Sequence, residues 1–368
     1  MKKSGKSIVF YLLVFVMLSG LTIFPGYADE ESEINLNKVN FTAQAVLPEN
    51  QIQNNASGSN PKLYFDLKME PEQEQLLELI VTNKSEEEIT VGVSTLTAST
   101  NGNGIIAYPE DGLYDESLVY KFSDIAKAEE DEVKIPKLES KSVFVRVKMP
   151  KDRYDGVLMG GISVLQKPLD SEMNLESEMG IVKQLRYIIG VRLAENLDLK
   201  FEPEFEIGDI ESAIVDYYPA IVVPIKNTQA LIARQIRAEV KVYPAGSGEV
   251  YAERVMDDAE MAPNSILPFP LKDETGERFR AGDYRAEVKL ELEGQTYEFA
   301  KDFVLTQEKV DEVNTSIANI YNPVIPASAQ EQEGGSNIIL IVVISAVASI
   351  IIILSVLLIL RKKKIKKI

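Results

Sequence analysis

Residues 75–82 read QLLELIVT, 83–88 read NKSEEE and 89–95 read ITVGVST. Apolar side chains recur at every second position on both sides of a polar, acidic break, the period expected of a half-buried hairpin. The same period continues outward along the chain. Val143, Val145 and Val147 alternate with Phe144, Arg146 and Lys148. Residues 155–164, DGVLMGGISV, read as strand on either side of glycines, and glycine inside a strand marks a bulge or a close backbone approach. Residues 185–193 form a buried-looking strand, and 238–243 (AEVKVY) alternate before a PAGSG turn. Residues 284–292 and 297–305 form a hairpin around Glu293-Gly294-Gln295. Strands at this spacing, with few amphipathic helices, predict an all-β chain of two tandem immunoglobulin-like β-sandwich domains.

The ends read differently. Lys2, Lys3 and Lys6 precede an apolar run, and PGYA at 25–28 places small residues before a cut between Ala28 and Asp29. Residues 1–28 are therefore expected to be a secretory signal peptide, with an uncleaved anchor as the alternative. Residues 338–360 are 23 uncharged residues whose only polar side chains are Ser345, Ser349 and Ser355, enough for a transmembrane helix. The six basic residues of 361–368 mark that tail as cytoplasmic. The expected location is the cell membrane, single-pass, with the ectodomain facing the cell wall. No LPxTG-like motif precedes the span, so sortase attachment is not indicated.

Between these ends the expected order is a mature N-terminal segment (29–40), a first sandwich (41–166), a linker (167–179), a second sandwich (180–308) and a stalk (309–337). The linker is polar and acidic, which predicts separable domains with few contacts across it. Alternatively, 185–193 complete the first sandwich and move the border to about residue 195, in keeping with ordinary sandwich sizes.

Composition removes whole chemistries. The 368 residues contain no Cys, His or Trp, which excludes Ser-His-Asp and Cys-His pairs, zinc sites of the usual ligands and disulfides. No cofactor is indicated. Of 39 basic side chains, three lie in the signal and six in the tail, leaving 30 against 57 acidic, a net charge of −27 on residues 29–337. Such a surface repels nucleic acid and favours basic partners or cations. The runs Glu86–Glu88 and Glu129–Glu132 lack the Asp-x-Asx-x-Asx-Gly loop of a calcium site and read as solvated loops.

Asn101-Gly102-Asn103-Gly104 with Tyr108, and Arg153-Tyr154-Asp155-Gly156, combine amide, carboxylate and aromatic groups on loops. Asn103, Tyr108, Tyr154 and Asp155 are accordingly candidate glycan contacts, because sugars need polar partners for hydroxyls and an aromatic face. Turn chemistry explains the Asn-Gly and Asp-Gly pairs equally. No catalytic residue and no metal ligand is legible, although two carboxylates suffice for glycosidic cleavage.

Six phrases, FTAQAVLPENQI (41–52), YFDLK (64–68), TASTNGNGIIAY (97–108), KMPKDRYDGVLMGG (148–161), YIIGVRLAEN (187–196) and MAPNS (261–265), resemble the WxL-interacting proteins of Gram-positive bacteria. The likeness spans about residues 40 to 308. It implies a first domain that binds peptidoglycan, a second that binds host extracellular-matrix protein, and WxL-domain surface proteins as partners. The function so implied is a membrane-anchored, non-catalytic adaptor; the rival is a carboxylate-based cell-wall glycan hydrolase. Tyr297 stands where relatives often carry Trp.

Overall fold

The structure, a computed structural model, describes residues 39–52, 63–168, 184–198, 202–273 and 280–321, with side chains to 316. The signal segment, the cut at Ala28, the span 338–360, the basic tail and most of 167–179 lie outside the described residues.

The described chain is all-β with multiple sheets. In the first domain, β1 (Phe41–Val46), β3 (Glu74–Asn83), β9 (Ser140–Lys148) and β7 (Ala126–Ala128) make one sheet in the order β1-β3-β9-β7. Facing it are β2 (Phe65–Lys68), β11 (Arg186–Ala194), β10 (Val157–Gln166), β4 (Ile89–Thr97) and β8 (Glu132–Ile135), in the order β2-β11-β10-β4-β8. The period of two read from β3 holds. Leu77, Leu79 and Val81 face the core together with Val143, Val145 and Val147 of β9, while Leu76 and Ile80 face out. Each inward Leu or Val contributes roughly 1.5–3 kcal/mol on burial, so a register slip of one residue, which turns every inward side chain out, is strongly disfavoured.

Two glycines of β10 are there for close approach, since the strand pairs with β4 and β11 in unbroken register and contains no bulge. A Cβ on Gly160 would collide with the ring of Phe122, which the single-turn helix α1 (Phe122–Ile125) inserts into the core.

The second domain pairs β14 (Tyr218–Asn227) with β12 (Phe205–Ile207) and β13 (Glu211–Val215) along one edge and β17 (Ile266–Lys272) along the other. Its second sheet runs β16 (Ala252–Met261), β15 (Ala233–Pro244), β18 (Gly282–Leu292), β19 (Gln295–Leu305). The predicted hairpin is β18–β19, and Glu293 and Gly294 at φ 51° and 80° form its tight turn. Tyr297 packs edge-on against Phe205, 5.2 Å between ring centroids.

The stretch 75–95 is not a hairpin but a crossing between sheets, since β3 and β4 lie in opposite sheets. A buried asparagine ends the crossing strand in both domains, Asn83 at the end of β3 and Asn227 at the end of β14. Asn83 donates through Nδ2 to the carbonyls of Glu87 (2.7 Å) and Ile135 (3.1 Å), and Asn227 does so to those of Leu231 and Ala262 (2.9 Å each). Both tie a turn to the strand end opposite, satisfying carbonyls that would otherwise be orphaned in the interior.

Three expectations are corrected. Strand 186–194 pairs with β10 and, in parallel, with β2, so it closes the first sandwich, and the border at 167–179 lies one strand too early. The stretch read as stalk from 309 begins with helix α2 (Gln307–Tyr321), whose Val310 and Val313 are buried in the second core. The domains are also not sparsely joined: a continuous set of hydrogen bonds runs between them.

Candidate functional site

A small hairpin, β5 (Ser99–Thr100) with β6 (Ile106–Ala107), carries the Asn-Gly loop of the first domain onto β16 and β17 of the second. The Asn101 side chain accepts from the backbone N–H groups of Asn103 (2.9 Å) and Ile105 (3.2 Å), which fixes the turn. Gly104 then sits at φ +67°, where a Cβ would lie 2.5 Å from Met256 Sδ and 2.6 Å from Ala259 Cβ. Only glycine meets both demands. The Glu260 N–H donates to the Gly104 carbonyl at 2.7 Å, and Arg254 donates to that of Gly102 at 3.2 Å.

Asn264 stands at the middle of this joint, buried and at φ 50°. Its Nδ2 donates to Ser117 Oγ (2.8 Å) and to the Thr228 carbonyl (3.2 Å), while Tyr154 donates its hydroxyl to Asn264 Oδ1 (3.4 Å). Thr100 and Ser265 share a hydroxyl–hydroxyl bond of 2.6 Å, and the Val157 N–H reaches the Ala230 carbonyl at 2.8 Å. Lys226 and Asp115 form an ion pair across the joint at 3.1 Å.

Burial alone would push the Asp115 carboxyl up, but the Ser117 N–H and hydroxyl and the Lys226 ammonium outweigh it and hold the group below its ordinary value of 3.8. A folded pKa below the unfolded one contributes stability that is complete above the ordinary value and fades as pH falls through the depressed one. Acidification through that window is expected to lower the unfolding midpoint of the parent more than that of Asp115→Asn, in urea melts taken at successive pH values. Parallel profiles for the two proteins would show that the pair does not couple to folding.

The four residues read as glycan contacts fall in different settings. Asn103 is exposed on the docked loop, and Asp155 is exposed beside Arg153 at 3.5 Å. Tyr154 is only 9% exposed, packed edge-on against Tyr120 and bonded through its backbone N–H to Glu195 Oε1 (3.0 Å). Burial pushes its phenol up to about 12, so it stays a neutral donor, and its ring offers no face to a sugar. Tyr108 is half-buried, its ring lying over Gly161 and its hydroxyl beside Gly190 on the outer face of β10 and β11. No hydrogen bond, ion pair or ring contact joins any two of the four among the described residues.

Beside Tyr108 the two domains enclose a cleft of about 610 Å³. Parallel pairing places Asp66 of β2 directly opposite Arg192 of β11, and Arg192 Nη1 donates to Asp66 Oδ1 at 2.8 Å. Tyr64, Asn196 and Leu197 extend this side, while Leu231, Ile232 and Arg234 line it from the second domain. Sequence reasoning missed this cleft, since Asp66 and Arg192 stand 126 residues apart, although both lie within phrases quoted above. Of the acidic runs, Glu88 pairs with Lys134, Glu129 with Arg146 and Glu132 with Lys167.

Residues 41–166 match the family model described as WxL Interacting Protein, peptidoglycan binding domain, and residues 176–315 the model described as WxL Interacting Protein, host binding domain. No curated protein matches the chain. Solved structures similar to it include the YadV chaperone, at 10% identity over 72% of this chain and 100% of that one, TM-score 0.28. The CupB2 chaperone of Pseudomonas aeruginosa is similar at 14% identity over 63% and 92%, TM-score 0.24. The PapD-like domain of human CEP192 is similar at 10% over 43% and 85%, TM-score 0.25. Scores this low carry no argument about fold or role. The two domain models, found in family order and together spanning most of the described chain, do: this chain belongs to the WxL-interacting protein family.

Proposed function

We propose that this protein is a non-catalytic, membrane-anchored adaptor of the bacterial surface. Its first domain holds peptidoglycan, its second presents a surface to host matrix protein, and the ectodomain engages WxL-domain proteins. The observation that carries this reading is the pair of binding-domain models at 41–166 and 176–315. Each sandwich is read as immunoglobulin-like. The protein is exported, cut between Ala28 and Asp29, and held by residues 338–360 with the basic tail inside. Among the described residues no helix is long and apolar enough to cross a membrane, and the proposed span lies outside them. Of the sugar contacts proposed from sequence, Asn103, Asp155 and Tyr108 keep side-chain surface for that role, whereas Tyr154 serves the joint.

Capture from a cell-wall extract with the detergent-solubilised full chain tests the partners. A WxL-domain protein and wall glycan are expected among the bound species, and recovery of neither would sink the proposal. The charge of −27 predicts that protein association slows as salt shortens the Debye length from about 10 Å at 0.1 M to about 3 Å at 1 M. Protease added to intact protoplasts is expected to digest the ectodomain and spare a tag placed after Ile368. Loss of that tag would reverse the orientation. No observation favours the hydrolase.

A further inference from the structure

The second sheet of the second domain ends on a strand with one open side. Among the described residues β19 pairs with β18 alone, over 11 residues in unbroken register, and no backbone hydrogen bond reaches its other side. Such a side presents a row of N–H and C=O groups that an extended chain can bond, and proteins usually blunt it with proline, a bulge or an inward charge. Residues 295–305 contain no proline and no bulge. Their one inward charge, Lys301, is taken up by the turn between β12 and β13, where its ammonium donates to the Gly208 carbonyl and to Asp209 Oδ1, 2.9 Å each.

The outer face of the sheet dictates what an added strand must carry. Ala286, Val288 and Leu290 of β18 point into the core, so Arg285, Glu287 and Lys289 point out. Register then sets opposite charges side by side across the strands. Glu239, Lys289 and Glu298 form one row, and Lys241 and Glu287 form the next, ending at Ala300. In the third row Arg285 donates to Asp302 at 2.9 Å. Two rows therefore stop on an exposed acid at the open side, Glu298 and Asp302, four residues apart. Opposite charges directly across two strands stabilise their pairing, and like charges oppose it. A second copy is thus the wrong occupant, because antiparallel self-pairing centred on Glu298, Ala300 or Asp302 sets acid against acid. The small Ala300 borders a hollow of about 420 Å³ that Lys241, Glu287 and Lys289 also line, which leaves room for a large side chain opposite it.

We infer that β19 docks an extended segment of a partner protein as a fifth strand of this sheet. The segment carries basic side chains opposite Glu298 and Asp302, a large side chain between them opposite Ala300, and apolar residues on the alternate face, where Tyr297 and Phe299 pack at the margin of the core. The inference goes beyond the host-matrix reading above and does not depend on which protein supplies the segment.

The probe is the peptide Thr-Lys-Val-Tyr-Val-Lys-Thr, and its control has glutamate in place of both lysines. Each is titrated into the detergent-solubilised full chain. The lysine peptide is expected to bind saturably at 0.1 M salt, about tenfold or more tighter than the control, and to weaken towards 1 M salt. It should also slow amide hydrogen exchange within 295–305, since N–H groups without a partner acquire one. Reversing both acids, Glu298→Lys with Asp302→Lys, is expected to invert the preference in favour of the glutamate peptide. General attraction of a basic peptide to an acidic ectodomain would leave the preference unchanged, because two reversals remove only a small part of the charge of −27. Absence of saturable binding, binding without protection of 295–305, or a folded reversed-charge variant that still prefers lysine overturns the inference. If the variant does not fold, protection of 295–305 in the parent decides. Protection that grows with protein concentration in the absence of peptide makes a second copy the occupant and overturns the inference as well.

Discussion

Asn264→Ala is expected to split a single unfolding transition into two. In the parent, probes placed in either sandwich should report the same urea midpoint, because the domains share a buried hydrogen-bonded joint. The substitution removes the amide that donates to Ser117 and Thr228 and accepts from Tyr154. Partners left unsatisfied in the interior cost about 1–3 kcal/mol each. Alanine at φ 50° adds roughly 1–2 kcal/mol of backbone strain. A total loss of about 3–5 kcal/mol falls on the joint, while both cores keep their packing. Asn264→Gly tolerates the dihedral but lacks the amide, and should recover only the strain. One coincident transition in Asn264→Ala would mean that the joint contributes little.

Gly160→Ala acts within the first core. The added methyl would overlap the ring of Phe122 and lie 2.6 Å from the Leu96 carbonyl oxygen, so the ring must give way and β10 must also shift from β4. Overpacking of this kind costs about 1–3 kcal/mol, and expulsion of a buried Phe about 3–5 kcal/mol, so a loss of about 3 kcal/mol is expected in denaturant unfolding. In a Phe122→Ala background the same glycine substitution should cost less, because the ring is gone, while the Leu96 carbonyl oxygen at 2.6 Å keeps part of the loss. Full additivity in that cycle would show that the ring is not what the glycine accommodates.

Pairing across a turn was legible for β18 and β19 but not for β3 and β4, whose equally clean alternation belongs to strands of opposite sheets. The β18–β19 hairpin is decided by alternation on either side of Glu293-Gly294, all within one short window. Strand 186–194 is as plainly a strand, but alternation does not say which sheet receives it, and its partners β2 and β10 belong to the domain before it. Helix α2 buries only Val310 and Val313 among its described side chains, too thin a stripe in a polar segment to announce itself. The Asn-Gly loop was correctly a turn, yet its purpose, seating Gly104 against Met256 and Ala259, depends on residues some 150 positions away. Tyr154 reads as a loop residue because Asp and Gly follow it, yet its ring joins the first core against Tyr120 and its hydroxyl reaches Asn264 of the second domain. Asp66 and Arg192 give no local signal at all, since a charged residue in an alternating strand reads as its solvent face.

The most direct test of the wall-binding role is incubation of the detergent-solubilised full chain with purified peptidoglycan sacculi at 0.1 M and 1 M salt, followed by assay of both pellet and supernatant. Contacts made by hydrogen bonds and aromatic faces survive screening that removes ionic ones, so the chain should pellet at both concentrations and release no soluble reducing sugar. A chain that remains in the supernatant, or that liberates sugar from the sacculi, would contradict a non-catalytic wall-binding adaptor.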